Sequence, residues 1–210
     1  MKFSALIFDL DGVLVHTDKF HYLAWKSLAE SLGITTFDEK VNERLKGVSR
    51  MTSLEIVLSL GKKEYSASEK QAFAETKNTL YREYLSKMTP DDVTNEVRGT
   101  LRFLKARGIK IGLGSVSKNA PYILERTDLE KYFDAVSDGN GLINSKPDPE
   151  VFLKAAERLA VSPKDSAVVE DAAAGIDAAI AGGFYAIAYN LQYAKANIQI
   201  KDFSLLKQII

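Results

Sequence analysis

Two hydrophobic textures alternate along the chain. Residues 3–8 form an unbroken apolar run, the mark of a strand buried on both faces, and similar runs recur at 109–113, 135–137, 167–169 and 185–189. Between the later runs the apolar positions fall at helical spacing. Leu101 and Leu104 predict a helix over 99–107 that stops before Gly108. Val151, Phe152, Ala155, Ala156 and Leu159 predict another over 149–159, opened by Asp148 as N-cap with Pro149 at the first helical position. The small residues of 172–181 predict a third, ended by Gly182-Gly183. Strand, helix, strand with short joints describes an α/β fold built on a parallel sheet.

Residues 16–87 break that rhythm and carry no strand pattern. Phe20, Leu23, Ala24, Trp25, Leu28 and Leu32 share one face of a helix that ends at Gly33, and 54–60 reads as a second helix ended by Gly61. Ser66-Ala67-Ser68-Glu69 is a capping box that opens a long helix with Phe73, Leu80, Tyr81, Tyr84 and Met88 on one stripe. The expectation is an all-α cap domain over 16–87, carried by an α/β core made of 1–15 and 88–210. The two connecting segments would serve as a hinge.

Composition narrows the function classes. Across 210 residues, 28 Lys and Arg balance 28 Asp and Glu, so a nucleic-acid partner is not expected and an anionic ligand must meet a few placed cations. The absence of cysteine excludes disulfides, zinc-thiolate sites and a thiol nucleophile. Asp9 cuts off the first apolar run, and the uncharged stretch 178–189 is too short for a bilayer, so no signal peptide and no membrane span are expected. A cytoplasmic monomer follows as the expectation.

The candidate chemistry gathers at strand ends. Asp9-Leu10-Asp11-Gly12 follows the first strand, and residues two apart on extended chain point the same way, so both carboxylates emerge at the sheet's carboxyl edge, where open α/β sheets bind ligands. Glu170-Asp171 follows the strand 167–169. Four carboxylates converging there would repel unless a cation sat among them, and hard oxygen donors favour Mg²⁺. Gly114-Ser115-Val116-Ser117-Lys118-Asn119 follows the strand 109–113 and offers hydroxyls and amides to a phosphate. Lys146-Pro147 lies in the loop after 135–137. Taken singly, a serine-rich turn or a loop lysine is ordinary surface; their shared edge is what makes a site.

These four segments, in this order, resemble the four motifs of the haloacid-dehalogenase-like superfamily, and a helical insert after the first motif resembles its small-cap arrangement. The resemblance spans essentially the whole chain and implies a Rossmann-like core. It also implies that Asp9 is the nucleophile and Asp11 the general acid and base, with its side chain off the metal and only its backbone carbonyl bound. Ser115 and Lys146 would hold the phosphoryl group, and Asp9, Asp11, Glu170 and Asp171 would hold Mg²⁺. A narrower resemblance, to the superfamily's sugar phosphomutases, rests on Lys46-Gly47-Val48-Ser49-Arg50, Ser53, His21, Trp25, Lys77-Asn78 and the Ser115–Asn119 segment. It implies that Thr17, His21, Trp25, Lys46, Gly47, Val48, Ser49, Arg50, Ser53, Lys77, Val116, Ser117, Lys118 and Asn119 bind substrate, with Arg50 meeting Ser117, Lys118 and Asn119 around a second phosphate. The implied reaction interconverts β-D-glucose 1-phosphate and glucose 6-phosphate through an aspartyl-phosphate enzyme and a bisphosphate; the alternative is a Mg²⁺-dependent sugar-phosphate phosphatase. Two points depart or stay open. Asn95-Glu96-Val97-Arg98-Gly99 lacks the proline common before that glycine, and the Lys146-Pro147 bond can be cis or trans.

Overall fold

The computed structural model describes residues 3–209. Six strands, β1 (Ala5–Phe8), β2 (Lys110–Gly114), β3 (Ala135–Ser137), β4 (Ser166–Glu170), β5 (Tyr185–Tyr189) and β6 (Ile198–Ile200), form one sheet in the order β3-β2-β1-β4-β5-β6, with every pair parallel. Five of the six follow the apolar runs. The sixth has only Ile-Gln-Ile, too short for either periodicity to register, and its pairing with β5 is what makes it a strand. This order doubles back at β1, and the crevice above β1 and β4 is the switch point at which such sheets take ligands.

Because side chains alternate along a strand, β1 supplies both layers of the core. Leu6 and Phe8 pack with Ile111, Leu113, Val169 and Ile187 under α5 (Asn95–Ala106) and α6 (Ala120–Arg126). Ala5 and Ile7 pack with Val168, Ala186 and Ala188 under α7 (Glu150–Leu159) and α8 (Ala173–Ala181). Glycine is required on this second face. A Cβ at Gly114 would lie 2.5 Å from the Phe152 ring, so the bare backbone is what lets α7 settle onto β2.

The helices α1 (Asp18–Ser31), α2 (Glu39–Glu43), α3 (Arg50–Leu58) and α4 (Ala67–Leu85) all lie between β1 and β2. Trp25, Leu28, Ile34, Phe37, Leu54, Val57 and Ala74 close an apolar cluster of their own. Ala24, Tyr81, Leu85 and Met88 instead pack into the cluster beneath the sheet, so the insert is seated on the core by the base of α1 and α4. Three boundaries shift for local reasons. Ser49 caps α3 by accepting from Thr52 N, which starts that helix at Arg50. Thr94 caps α5 through Val97 N and carries the helix through Gly99. Helix α7 begins at Glu150 with Pro149 as its N-cap, while Asp148 accepts from Glu150 N at 2.9 Å. The short α2, α6 and α9 (Leu206–Ile209) lack enough turns to leave a period. No helix among the described residues is long and apolar enough to cross a membrane.

Among the described residues, three buried side-chain oxygens, on Tyr81, Thr100 and Ser137, have no hydrogen-bond partner. The Thr100 hydroxyl on α5 is fully buried without a hydrogen-bond partner. Leaving a hydroxyl unsatisfied costs about 1–3 kcal/mol. Thr100→Val is therefore expected to stabilise the protein by about 1 kcal/mol, read as a melting temperature higher by about 2–4 °C in calorimetry.

Candidate active site

The sheet register brings the acids together. Phe8 pairs with Val169, and Asp9 N donates to Val169 O at 3.0 Å, so Asp9 stands beside Glu170, the last residue of β4. On the other side of β1, Leu113 pairs with Phe8, and Ser115 leaves the end of β2 with its N–H on Ser137 O. Neighbouring strands lie about 4.8 Å apart, so Gly114, Asp9 and Glu170 stand level across the carboxyl edge, with Ser115 one residue beyond Gly114. Lys146 reaches that row from the loop after β3. Its ammonium, with no exposure, is hydrogen-bonded to Asp9 Oδ1 and lies 2.6 Å from Glu170 Oε1, with the Phe152 ring 4.7 Å beneath. The Lys146-Pro147 bond is cis.

Carboxylate oxygens of Asp9, Glu170 and Asp171 lie within 4.8 Å of one another. Two glycines make room for them. A Cβ at Gly12 would fall 2.0 Å from Asp171 Oδ2, and one at Gly175 would fall 1.9 Å from Glu170 Oε1. Burial, and then the neighbouring carboxylates against the pull of Lys146, raises the pKa of Asp9 to about 7. Burial and Glu170 raise that of Asp171 to about 8. Burial disfavours the charge on Lys146, but Asp9 and Glu170 more than offset it and hold the ammonium protonated. Fully ionised, the group carries three negative charges against one positive. A divalent cation on these hard oxygen donors supplies the missing compensation, so the residues fit one.

Asp11 faces elsewhere. Its carboxylate accepts from the Thr17 hydroxyl, and it is not among the clustered oxygens. Burial raises its pKa to about 6, opposed by the Thr17 hydrogen bond. Asp9 turns toward the cluster and Asp11 toward Thr17 at the start of α1.

Above the acid row lies a cavity of about 370 Å³, walled by the core loops on one side and by α1, α3 and α4 on the other. Gly47, at φ +72, brings the insert down onto the core; a Cβ there would be 3.3 Å from that of Ala172. Lys77 is 2 % exposed, with its ammonium 4.4 Å from the Tyr81 ring centroid, 4.7 Å from that of Trp25 and 3.0 Å from His21 Nδ1. Burial, then Arg50, lowers its pKa to about 7, and burial with Lys77 holds His21 well below its ordinary value. His21 is therefore neutral; when Lys77 is protonated its ammonium can only donate, so Nδ1 then accepts and the ring proton is on Nε2. Arg50 Nη2 donates to Asn78 Oδ1 at 2.8 Å, and that oxygen also accepts from Asn119 Nδ2 at 3.0 Å.

The residues expected from sequence are brought together. Asp9, Asp11, Ser115, His21, Trp25, Lys46, Gly47, Val48, Ser49, Arg50, Ser53, Lys77, Val116, Ser117, Lys118, Asn119 and Asp171 line the cavity, while Thr17, Lys146 and Glu170 stand buried behind it. One contact differs from expectation: Arg50 reaches Asn119 through Asn78, which bonds both. His21 pairs with Lys77, and Asp11 with Thr17. Lys46 is held by Glu43 at 3.1 Å and Asp18 at 3.8 Å. Two α4 residues near the site carry no local signal in the sequence: Tyr81, which falls on the apolar stripe and also lines the cavity, and Arg82, which lies outside the cavity lining and donates to Asn119 Oδ1 at 3.2 Å.

A family model described as haloacid dehalogenase-like hydrolase matches residues 3–183. A β-phosphoglucomutase of Bacillus subtilis is 48% identical over 186 residues, covering 88% of this chain and 82% of that protein. A phosphorylated carbohydrates phosphatase of Thermotoga maritima is 35% identical over 210 residues, covering 97% of this chain and 94% of that protein. The crystal structure of a β-phosphoglucomutase from Clostridium difficile superposes with a TM-score of 0.92 at 40% identity, over 97% of this chain and 93% of that one.

Lys77 is a buried cation faced by His21 and Trp25 from α1, Arg50 from α3, Tyr81 from α4 and Asp11 from the loop after β1. Its folded pKa lies below the unfolded value, so protonation opposes folding in full below pH 7 and is relieved as pH rises from about 7 to 10.5. Lys77→Met is expected to raise the melting temperature at pH 6 and to give a clearly smaller gain at pH 9. Gly175→Ala, which forces Glu170 aside, is expected to weaken divalent-cation binding at least about tenfold by titration calorimetry.

Proposed function

The chain belongs to the haloacid dehalogenase-like hydrolase family, and from that premise we propose that it works as a β-phosphoglucomutase, interconverting β-D-glucose 1-phosphate and glucose 6-phosphate. The observation that carries this reading is a pair of anion sites facing one another in a single cavity. One is the Lys146, Ser115 and Asp9 group on the core. The other is Arg50 with Asn78, Asn119, Ser117 and Lys118, whose parts come from both the helical insert and the core. A hydrolase of monophosphates needs only the first; a mutase that handles a bisphosphate needs both.

The family implies a divalent metal, which we take to be Mg²⁺ held by Asp9, Glu170 and Asp171, with the Asp11 carbonyl as a further donor. When bound, Mg²⁺ withdraws charge from the phosphoryl oxygens and favours the ionised Asp9 carboxylate. The steps themselves belong to the chain's own residues. An Asp9 oxygen attacks a phosphorus of the priming bisphosphate; the P–O bond to the sugar breaks, Asp11 protonates the departing sugar oxygen, and Asp9 becomes an acyl phosphate, with Lys146 and Ser115 donating to the phosphoryl oxygens. When the sugar 6-hydroxyl attacks that phosphorus, the bond to Asp9 breaks and the hydroxyl proton passes to Asp11. Glucose 1,6-bisphosphate results. In the reverse orientation Asp9 takes the 1-phosphoryl group, and Asp11 returns its proton to O1 as the P–O1 bond breaks. Thr17 holds Asp11 toward the sugar, and neutral His21 presents its Nε2 proton to the same space.

Residues 16–87 serve in this reading as a cap closing on the core 1–15 and 88–210. Because the second anion site has one wall on each, a phosphate bound there draws the two together and excludes water, the competing acceptor. All these walls come from one chain, which suits a monomer, and we place the enzyme in the cytoplasm.

Primed with a trace of glucose 1,6-bisphosphate and Mg²⁺, the protein is expected to convert β- but not α-glucose 1-phosphate to glucose 6-phosphate with almost no free phosphate. Stoichiometric phosphate release would identify a phosphatase instead, the activity for which the Thermotoga relative is named. Asp9→Asn should abolish turnover and covalent labelling, and Asp11→Asn should lower kcat by about 10²–10⁴-fold in the same coupled assay.

A further inference from the structure

Asn119 is the N-cap of α6, where an asparagine side chain ordinarily accepts from the helix's own first N–H groups. It makes no such bond. The buried carboxamide instead turns across to the helical insert, where Nδ2 donates to Asn78 Oδ1 at 3.0 Å and Oδ1 accepts from Arg82 Nη1 at 3.2 Å. Arg82 is exposed along its stem, yet its guanidinium is not free: its central carbon lies 4.4 Å from the centroid of the Tyr122 ring on α6. A stacked face and a hydrogen-bonded edge fix the plane of the group.

The polarity of this chain of bonds is determined at Arg82. A guanidinium only donates, so it compels Asn119 to present Oδ1 to it and therefore Nδ2 to the other side. Asn78 Oδ1 must then accept, and its second lone pair takes Arg50 Nη2 at 2.8 Å. Arg50 keeps its remaining N–H groups for the cavity. We propose that Arg82 is a positioning residue for the second anion site, setting the orientation of Asn119 and, through Asn78, of Arg50, while tying α4 to α6. The proposal rests on the reading of that site as the holder of the substrate's distal phosphate. Arg82 does not touch the reacting atoms.

The test uses the full chain with Mg²⁺. Arg82→Ala is expected to raise KM for β-glucose 1-phosphate about tenfold, as loss of a charge-assisted bond implies, and to increase free phosphate released per turnover. Phosphorylation of Asp9 by acetyl phosphate, which has no distal anion, should be unchanged. In an Asn119→Ala background the same substitution should add less than about twofold. Arg82→Lys, charged but without a planar fork, should leave KM at least about threefold above that of the unsubstituted protein. An unchanged KM for Arg82→Ala, full recovery by lysine, an undiminished effect without Asn119, or an equal loss with acetyl phosphate would each overturn the proposal. If the unsubstituted protein hydrolyses its substrate rather than isomerising it, the mutase reading fails, and the same KM comparisons made on hydrolysis still decide the role of Arg82.

Discussion

The Lys146 ammonium, buried between Asp9 and Glu170, is the interaction on which the site depends. Adjacent parallel strands deliver two carboxylates to neighbouring positions, and Asp171 adds a third. Burial first, and this crowding after it, raises the pKa of Asp9 and Asp171, so without a further cation protonation would relieve the charge. Lys146 meets part of the demand permanently, from a loop 137 residues from Asp9 and 24 from Glu170 in sequence. The remainder is what makes the cluster receptive to a divalent cation and to the electrophilic phosphorus that follows it.

The rest of the architecture serves this concentration of charge. Gly12 and Gly175 leave space for the acid side chains, and Gly114 lets α7 bring Phe152 beneath the ammonium. Buried ion pairs offer modest net stability because desolvation offsets their attraction. The core accordingly rests on the apolar layers either side of β1, and the charged edge is carried by them.

The helical insert repeats the strategy with the opposite sign. Lys77 and Arg50 are two cations held in one cavity, Lys77 against aromatic rings and a neutral histidine, with no carboxylate among the described residues bonded to it. Such an arrangement costs folding energy in the empty protein and is relieved by an anion. Opposed charged walls, acidic cluster below and cations above, also make an asymmetric ligand bind in a defined sense at each end.

The sheet, the insert and the four chemistry-bearing segments are legible in the sequence because each is written in near neighbours: apolar runs mark buried strands, spacing marks helices, and acids directly after a strand must emerge at its carboxyl edge. The short β6 and the early start of α5 depend on pairing or capping that no period records, and the cis isomer of Lys146-Pro147 has no period either. The protonation of Asp9, Asp11 and Lys77 was not legible either, since burial sets it. Nor was the turning of Asp11 to Thr17, or the route from Arg50 through Asn78 and Asn119 to Arg82. Sequence alone determined which segments reach the sheet's carboxyl edge. The tertiary structure decided which of their residues face one another and in what charge state, because both follow from packing and desolvation between segments distant along the chain.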